Sequence, residues 1–77
     1  MGKLPVVSAL AIVKVLRKNG FGISRQRGSH IILIKFVDNK KRIVVVPNHR
    51  QIDPGTLLSI IAQSGMLKGE FLNFLRR

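Results

Sequence analysis

The sequence predicts an α+β fold in which one helix precedes three antiparallel strands and one or two helices follow them. Two stretches with apolar residues at helical spacing flank a central stretch of β-branched and aromatic residues. Turn-forming residues divide that central stretch into three strands, which favours an antiparallel meander. A three-stranded sheet with two helices covering one face is the economical packing of these elements.

The first helix is predicted to begin after Ser8, because serine is a common N-cap. Asn19 and Gly20 tolerate the left-handed backbone found at helix ends, so the helix should stop there. Three cations fall on the side opposite the apolar residues, which are Ala9, Ile12, Val13 and Leu16.

The first strand is predicted over residues 21–27, where alternation places Phe21, Ile23, Arg25 and Arg27 on one face. The second spans residues 30–37 and is apolar on both faces, as in a central strand. Gly28-Ser29 turns the chain between them.

A hairpin connection at residues 38–41 leads to a third strand over residues 42–46. Pro47 should end this strand, because proline donates no ladder hydrogen bond.

The second helix has the clearest start signal in the chain. Asp53 is a good N-cap, Pro54 suits the first helical position, and Ile52 can pack against Leu57. Gly65 is expected to end this helix, and residues 70–75 are predicted to add a short final helix.

Length and charge narrow the classes of partner. The 77 residues suffice for one domain at most, spanning residues 1–77. Fourteen Lys and Arg residues against three acids give a net charge of +11, while 45% apolar residues argue against a disordered basic tail. A small folded cation attracts RNA, acidic proteins or anionic membranes.

Several classes of site and location are disfavoured by what the sequence lacks. It contains no Cys, which excludes a disulfide framework, a thiolate zinc site and a cysteine nucleophile. Its three scattered acids disfavour a two-metal nuclease, which needs a cluster of carboxylates, and a glycosidase, which needs a positioned pair. Nucleotide-binding glycine patterns do not occur, and two histidines are too few for a metal site, so no cofactor or metal is expected. The longest uncharged run, residues 4–13, is too short to span a bilayer, which predicts a soluble cytoplasmic protein without a membrane partner.

One segment carries a candidate RNA site. Arg25 and Arg27 are two residues apart and therefore share one face of a strand, where paired guanidinium groups suit a phosphate. Gly28 lets backbone amides come close, and His30 is an acid–base candidate for cleavage of RNA by its own 2′-hydroxyl.

Simpler interpretations stay open for each of these features. A lone histidine at a strand start is more often structural than catalytic, and residues 40–42 read most simply as a solvated hairpin tip. The four Phe residues, Phe36 among them, match core spacing, and the absence of Trp and Tyr leaves few stacking surfaces for bases.

Several motifs in order resemble the HicA-type toxins of toxin–antitoxin pairs. Each motif is weak alone, but their order and spacing in one short basic chain are specific, and the resemblance covers about residues 4–75. The motifs are Asn19-Gly20-Phe21, residues 25–30 (Arg-Gln-Arg-Gly-Ser-His), Val46-Pro47-Asn48-His49 and Gly55-Thr56-Leu57 through Ile60-Ile61 to Ser64-Gly65.

The resemblance implies a double-stranded-RNA-binding-like fold and endoribonuclease activity on mRNA without a metal cofactor. It also implies neutralisation by a HicB-type antitoxin that covers the active surface. The catalytic histidine of the family corresponds to His30, and the adjoining glycine corresponds to Gly28.

The mechanistic hypothesis has His30 remove the 2′-hydroxyl proton while nearby cations hold the phosphate. The leaving oxygen would take its proton from His49 or from water, although His49 could equally serve only to bond local backbone. The predicted RNA-binding set is Arg25, Arg27, Gly28, Ser29, Lys41, Arg42 and His49.

Two rival hypotheses remain at this point. The chain could be a non-catalytic RNA-binding module that uses the same cations. Alternatively, it could be a protein-interaction module that docks an acidic partner through apolar strand residues such as Ile31 and Leu33.

Overall fold

The computed structural model describes residues 4–76 and contains the elements in the predicted order. The α+β class and the three-stranded antiparallel sheet, with strand order β1-β2-β3, are therefore confirmed. The elements are α1 (Ala9–Lys18), β1 (Gly22–Arg27), β2 (His30–Val37), β3 (Lys40–Pro47), α2 (Pro54–Ser64) and α3 (Lys68–Leu75).

Helix α1 has the predicted bounds because both of its ends are capped by local hydrogen bonds. The Ser8 hydroxyl accepts a hydrogen bond from the Ala11 N–H at 3.2 Å. At the other end, the Phe21 N–H donates to the Leu16 carbonyl at 3.0 Å, and the Phe21 ring is buried. Phe21 thus closes the helix, and strand β1 begins one residue later than predicted, at Gly22.

The β2–β3 hairpin is tighter than the sequence suggested, whereas the Gly28-Ser29 turn between β1 and β2 has the predicted length. Asp38 and Asn39 have φ values of 52° and 65°, the positive pair that a type I′ turn requires. The β2–β3 loop is therefore two residues long instead of four. Strand β3 accordingly begins at Lys40 and runs to Pro47, so it is longer than the predicted strand over residues 42–46.

A β-bulge in β1 changes which residues share a face. Ile23 pairs with Leu33, whereas Arg25 pairs with Ile32, so Ser24 is an extra residue in the ladder. Neighbouring positions on β2 point to opposite faces, so Ile23 and Arg25 do as well. The prediction that these two residues share a face is wrong, because strict alternation takes no account of the bulge.

Helices α1 and α2 pack on one face of the sheet. Leu33, Val44 and Val46 are fully buried and form one core with apolar residues of all three helices. The opposite face, which we call the open sheet face, carries the alternate residues of β2 and β3. Its apolar members are Ile32, Ile34, Phe36, Ile43 and Val45.

Two sequence-based expectations about apolar residues are corrected by this arrangement. Phe36 is 66% exposed on the open sheet face, whereas Phe21 and Phe71 are buried as expected. Ile31 and Leu33 lie on the covered face and pack in the core, so they are not available to a partner. Both errors arise because β2 is apolar on both faces, which hides its orientation from the sequence.

Helices α2 and α3 complete the covered side. Asp53 caps α2 through the Thr56 hydroxyl at 2.7 Å and the Thr56 N–H at 3.1 Å, as the sequence predicted. Gly65 ends α2 in the left-handed conformation, with φ of 75°. Helix α3 begins at Lys68, two residues before the prediction, and packs on α1 and α2. Within residues 4–76, no helix has the length and apolar character needed to cross a membrane.

Candidate active site

His30 is the first residue of the central strand and lies at one end of the sheet. It pairs with Arg27 of β1 on one side and with Pro47 of β3 on the other, and it is exposed. Within residues 4–76, no group hydrogen-bonds the imidazole. This position suits a group that exchanges a proton with a bound substrate.

Two arginines share the open sheet face with His30. Arg27 pairs directly with His30, and Arg25 pairs with Ile32, which lies on the same face of β2 as His30. Paired residues of antiparallel strands have Cα atoms about 4.5–5.5 Å apart, so these side chains start close together. Neither arginine has an acidic partner among the described residues, which leaves both guanidinium groups available for an anion.

The Gly28-Ser29 turn lies between these arginines and His30. Gly28 has φ of 58°, which glycine adopts without strain, and a Cβ there would meet no atom within 4 Å. The Ser29 carbonyl accepts a hydrogen bond from the Asn48 N–H at 2.6 Å, so the loop after β3 holds the turn in place. A phosphate can therefore approach the turn backbone closely beside His30.

His49 lies in the same loop and so belongs to the same end of the sheet. Its N–H donates to the Pro47 carbonyl at 2.8 Å, and its carbonyl accepts from the Ala9 N–H at 2.9 Å. The backbone of His49 therefore joins the loop to the start of α1, while the residue itself is exposed. A structural backbone role and a proton-donor role for the imidazole are both compatible with this position.

The other two predicted phosphate ligands lie at the far end of the sheet. Lys41 pairs with Phe36 on the open sheet face. Phe36 is six residues from His30 along β2, so Lys41 lies about 20 Å from His30 in the strand direction. Arg42 lies on the covered face, where its guanidinium donates to the Gln63 carbonyl at 3.1 Å. The structure thus brings Arg25, Arg27 and His30 together and separates Lys41 and Arg42 from them.

Across residues 4–76, no group of three or more His, Asp or Glu side chains could hold a metal ion.

Sequence reasoning missed Phe36 as a surface residue, although its even-numbered spacing from His30 on one strand indicates a shared face.

A comparison with protein-family models agrees with the resemblance drawn from the motifs. A family model described as the HicA toxin of bacterial toxin–antitoxin systems matches residues 11–66, which is well over half of the chain. The matched segment includes the arginines, the Gly28-Ser29 turn and both histidines. A comparison with curated proteins found no match.

Proposed function

Because the chain belongs to the HicA toxin family of bacterial toxin–antitoxin systems, we propose that it is a toxin that cleaves mRNA as an endoribonuclease. The observation that supports this proposal is the grouping of His30 with Arg25 and Arg27 on an exposed sheet face. Transesterification of RNA needs a general base and groups that stabilise the negative charge on the phosphate, and His30 and the two arginines can supply these.

In the proposed reaction, a neutral His30 imidazole accepts the proton of an RNA 2′-hydroxyl. The freed oxygen forms a bond to the adjacent phosphorus while the bond from phosphorus to the 5′-oxygen breaks. Arg25 and Arg27 donate hydrogen bonds to the phosphate oxygens, whose negative charge increases in the transition state. The products are a 2′,3′-cyclic phosphate and a 5′-hydroxyl end.

The leaving 5′-oxygen must gain a proton, and His30 alone cannot supply it while it accepts another. His49 in its protonated form or a water molecule fills this role in the proposal. Gly28 and Ser29 contribute backbone N–H groups and a hydroxyl near the phosphate, and Lys41 is a proposed contact with a more distant phosphate. Arg42 lies on the covered face and donates to the Gln63 carbonyl, so the proposal gives it no phosphate on the open sheet face.

The proposed reaction is metal-independent. All three acids of the chain, Asp38, Asp53 and Glu70, lie apart in sequence, and none is adjacent to His30 in the sheet register. The arginines therefore take the charge-stabilising role that a metal ion has in other nucleases.

The proposed partners are mRNA and a HicB-like antitoxin protein that covers the same site. An antitoxin seated over His30 would exclude RNA and hold the toxin inactive as a complex. Bacterial mRNA is cytoplasmic, so the proposal also places the protein in the cytoplasm, without a membrane partner.

A second function, RNA binding without cleavage, draws on the same cations. Arg25 and Arg27 are exposed and free of acidic partners within the described residues, which suits binding whether or not His30 acts as a base. Turnover therefore separates the two functions, whereas affinity does not.

The test compares RNA cleavage by the parent and by His30→Ala in excess EDTA. We expect the variant to lose about 100-fold or more of the rate, the usual effect of removing a general base. Arg17→Ala, which truncates an exposed side chain of α1 on the other side of the molecule, is the control for a surface substitution remote from the site and should cut normally.

Unfolding curves and RNA affinities of the three proteins must agree before the rates are compared. Equal cleavage by parent and His30→Ala would contradict the assignment of the base. Binding without any cleavage by the parent would favour the second function.

A further inference from the structure

The open sheet face bears an exposed aromatic residue that the proposed chemistry does not use. Phe36 is 66% exposed, the most exposed apolar residue on this face, while Ile43, diagonal to it on β3, is 47% exposed and Val45, farther along β3, is 37% exposed. The described helices pack on the opposite face, so they do not cover the ring. A large exposed aromatic surface on a small protein needs a physical explanation.

The register places Phe36 in line with the candidate active site. Phe36 and His30 lie on one face of β2, separated by about 20 Å along the strand. Lys41 is the direct partner of Phe36 on β3, and Lys40 precedes it in the chain. The face therefore carries cations at both ends, with an aromatic ring at the end distant from His30.

This combination fits single-stranded RNA. An unpaired base stacks on an exposed aromatic ring, while neighbouring cations hold the backbone phosphates. Asp38, in the β2–β3 turn, is the nearest acid in sequence, and the net charge of the chain is strongly positive. Ile34 on β2 and Ile43 on β3 are the apolar neighbours of Phe36 on this face.

We infer that Phe36 is a stacking site for an unpaired RNA base a few nucleotides from the phosphate that is cut at His30. This inference rests on the proposed ribonuclease function and deepens it. Phe36 is a positioning residue, because it lies too far from His30 to touch the reacting atoms. It acts by holding the strand across the sheet, which sets where the cleaved phosphate lies.

The experiment introduces tryptophan as a reporter of stacking, since the chain contains no Trp. Phe36→Trp is made in the His30→Ala background, which keeps the RNA uncut. Leu10→Trp in the same background is the matched control, because Leu10 is 68% exposed on α1, away from the sheet. Each protein is titrated with a single-stranded RNA of about 10 nucleotides, within the usual range of such sites.

We expect RNA to quench the tryptophan at position 36 and to leave the tryptophan at position 10 nearly unchanged. Phe36→Leu, which keeps an apolar side chain but loses the ring, should bind the RNA about 5-fold or more weakly. The salt dependence of binding should not change, because no phosphate contact is lost. In the cleaving protein, Phe36→Leu should raise KM with little effect on kcat.

Bound RNA without quenching at position 36, or equal quenching at both positions, would overturn the inference. So would a Phe36→Leu variant that binds RNA as the parent does but binds a HicB-like antitoxin more weakly, since the ring would then belong to a protein interface. If RNA quenches the tryptophan of Phe36→Trp but the parent protein never cuts RNA, the ribonuclease is rejected and the stacking site is retained.

Discussion

Arg42 and Gly65 illustrate how one side chain and one backbone angle depend on each other. The Arg42 guanidinium donates to the Gln63 carbonyl in the last turn of α2, where the helix dipole places partial negative charge. Gly65 lies against it, and a Cβ on Gly65 would be 2.8 Å from Arg42 Cζ. The glycine therefore provides both a left-handed φ and the space that the guanidinium occupies.

Gly65→Ala should destabilise the protein by about 1–2 kcal/mol from the left-handed backbone alone, and by more if Arg42 is displaced. Gly69→Ala is the control, since Gly69 is within α3 and a Cβ there meets no atom within 4 Å. Alanine favours helix, so this control should be neutral or slightly stabilising. Urea unfolding measures both, and an equal loss in the two variants would contradict this explanation.

At the scale of single elements, the start of α2 rests on one carboxylate. The Thr56 hydroxyl and then the Thr56 N–H donate hydrogen bonds to Asp53, and these bonds hold the pKa of the carboxyl below its usual value. A lowered pKa in the folded state means that the cap stabilises the protein above the unfolded pKa of about 4. That contribution is lost as the pH falls through the folded pKa.

Asp53→Ala should therefore lower the melting temperature at neutral pH but much less at a pH below the lowered pKa of the folded carboxyl, where the parent has also lost its charged cap. Asp53→Asn is the control, because asparagine also caps helices but does not titrate in this range. Thermal unfolding monitored by circular dichroism tests this. A gap between parent and Asp53→Ala that is as wide in acid as at neutral pH would argue against a charged cap.

The helices were predictable because their signals are local. Ser8, Asp53 and Gly65 act through residues at most three or four positions away, so the sequence alone places these caps. The strands were less predictable, because the bulge at Ser24 and the type I′ turn at Asp38-Asn39 depend on the pairing of strands. An Asp-Asn pair is a weaker I′ signal than Asn-Gly, which explains the four-residue loop predicted there.

At the scale of the whole molecule, the sheet divides the chain into a covered side and an open side. Spacing alone placed Arg25 and Arg27 on one face, and the structure agrees. The proximity of His30 to Pro47 and of Ser29 to Asn48 was not predictable, since it follows from pairing between distant segments. Phe36 was misjudged for the same reason.

A positive open face implies RNA binding that weakens with salt. If Arg25, Arg27 and Lys41 each neutralise one phosphate of a single strand, the logarithm of affinity falls with that of salt with a slope of about −2. For the His30→Ala variant, which leaves the RNA uncut, raising the salt concentration from roughly 50 to 200 mM should then weaken RNA binding about 20-fold. Arg25→Gln should reduce the slope by about 0.7, whereas a salt-independent affinity would argue against phosphate contacts.

The claim on which the rest depends is that the RNA supplies its own nucleophile. The most direct test replaces the ribose on the 5′ side of the cleaved bond with 2′-deoxyribose, in an otherwise unchanged RNA, and measures cleavage by the parent in excess EDTA. We predict that cutting at this bond stops while binding is retained, and that the unmodified RNA yields 2′,3′-cyclic phosphate ends. Continued cutting of the deoxy-substituted bond would contradict the mechanism, because water or another group would then be attacking the phosphate.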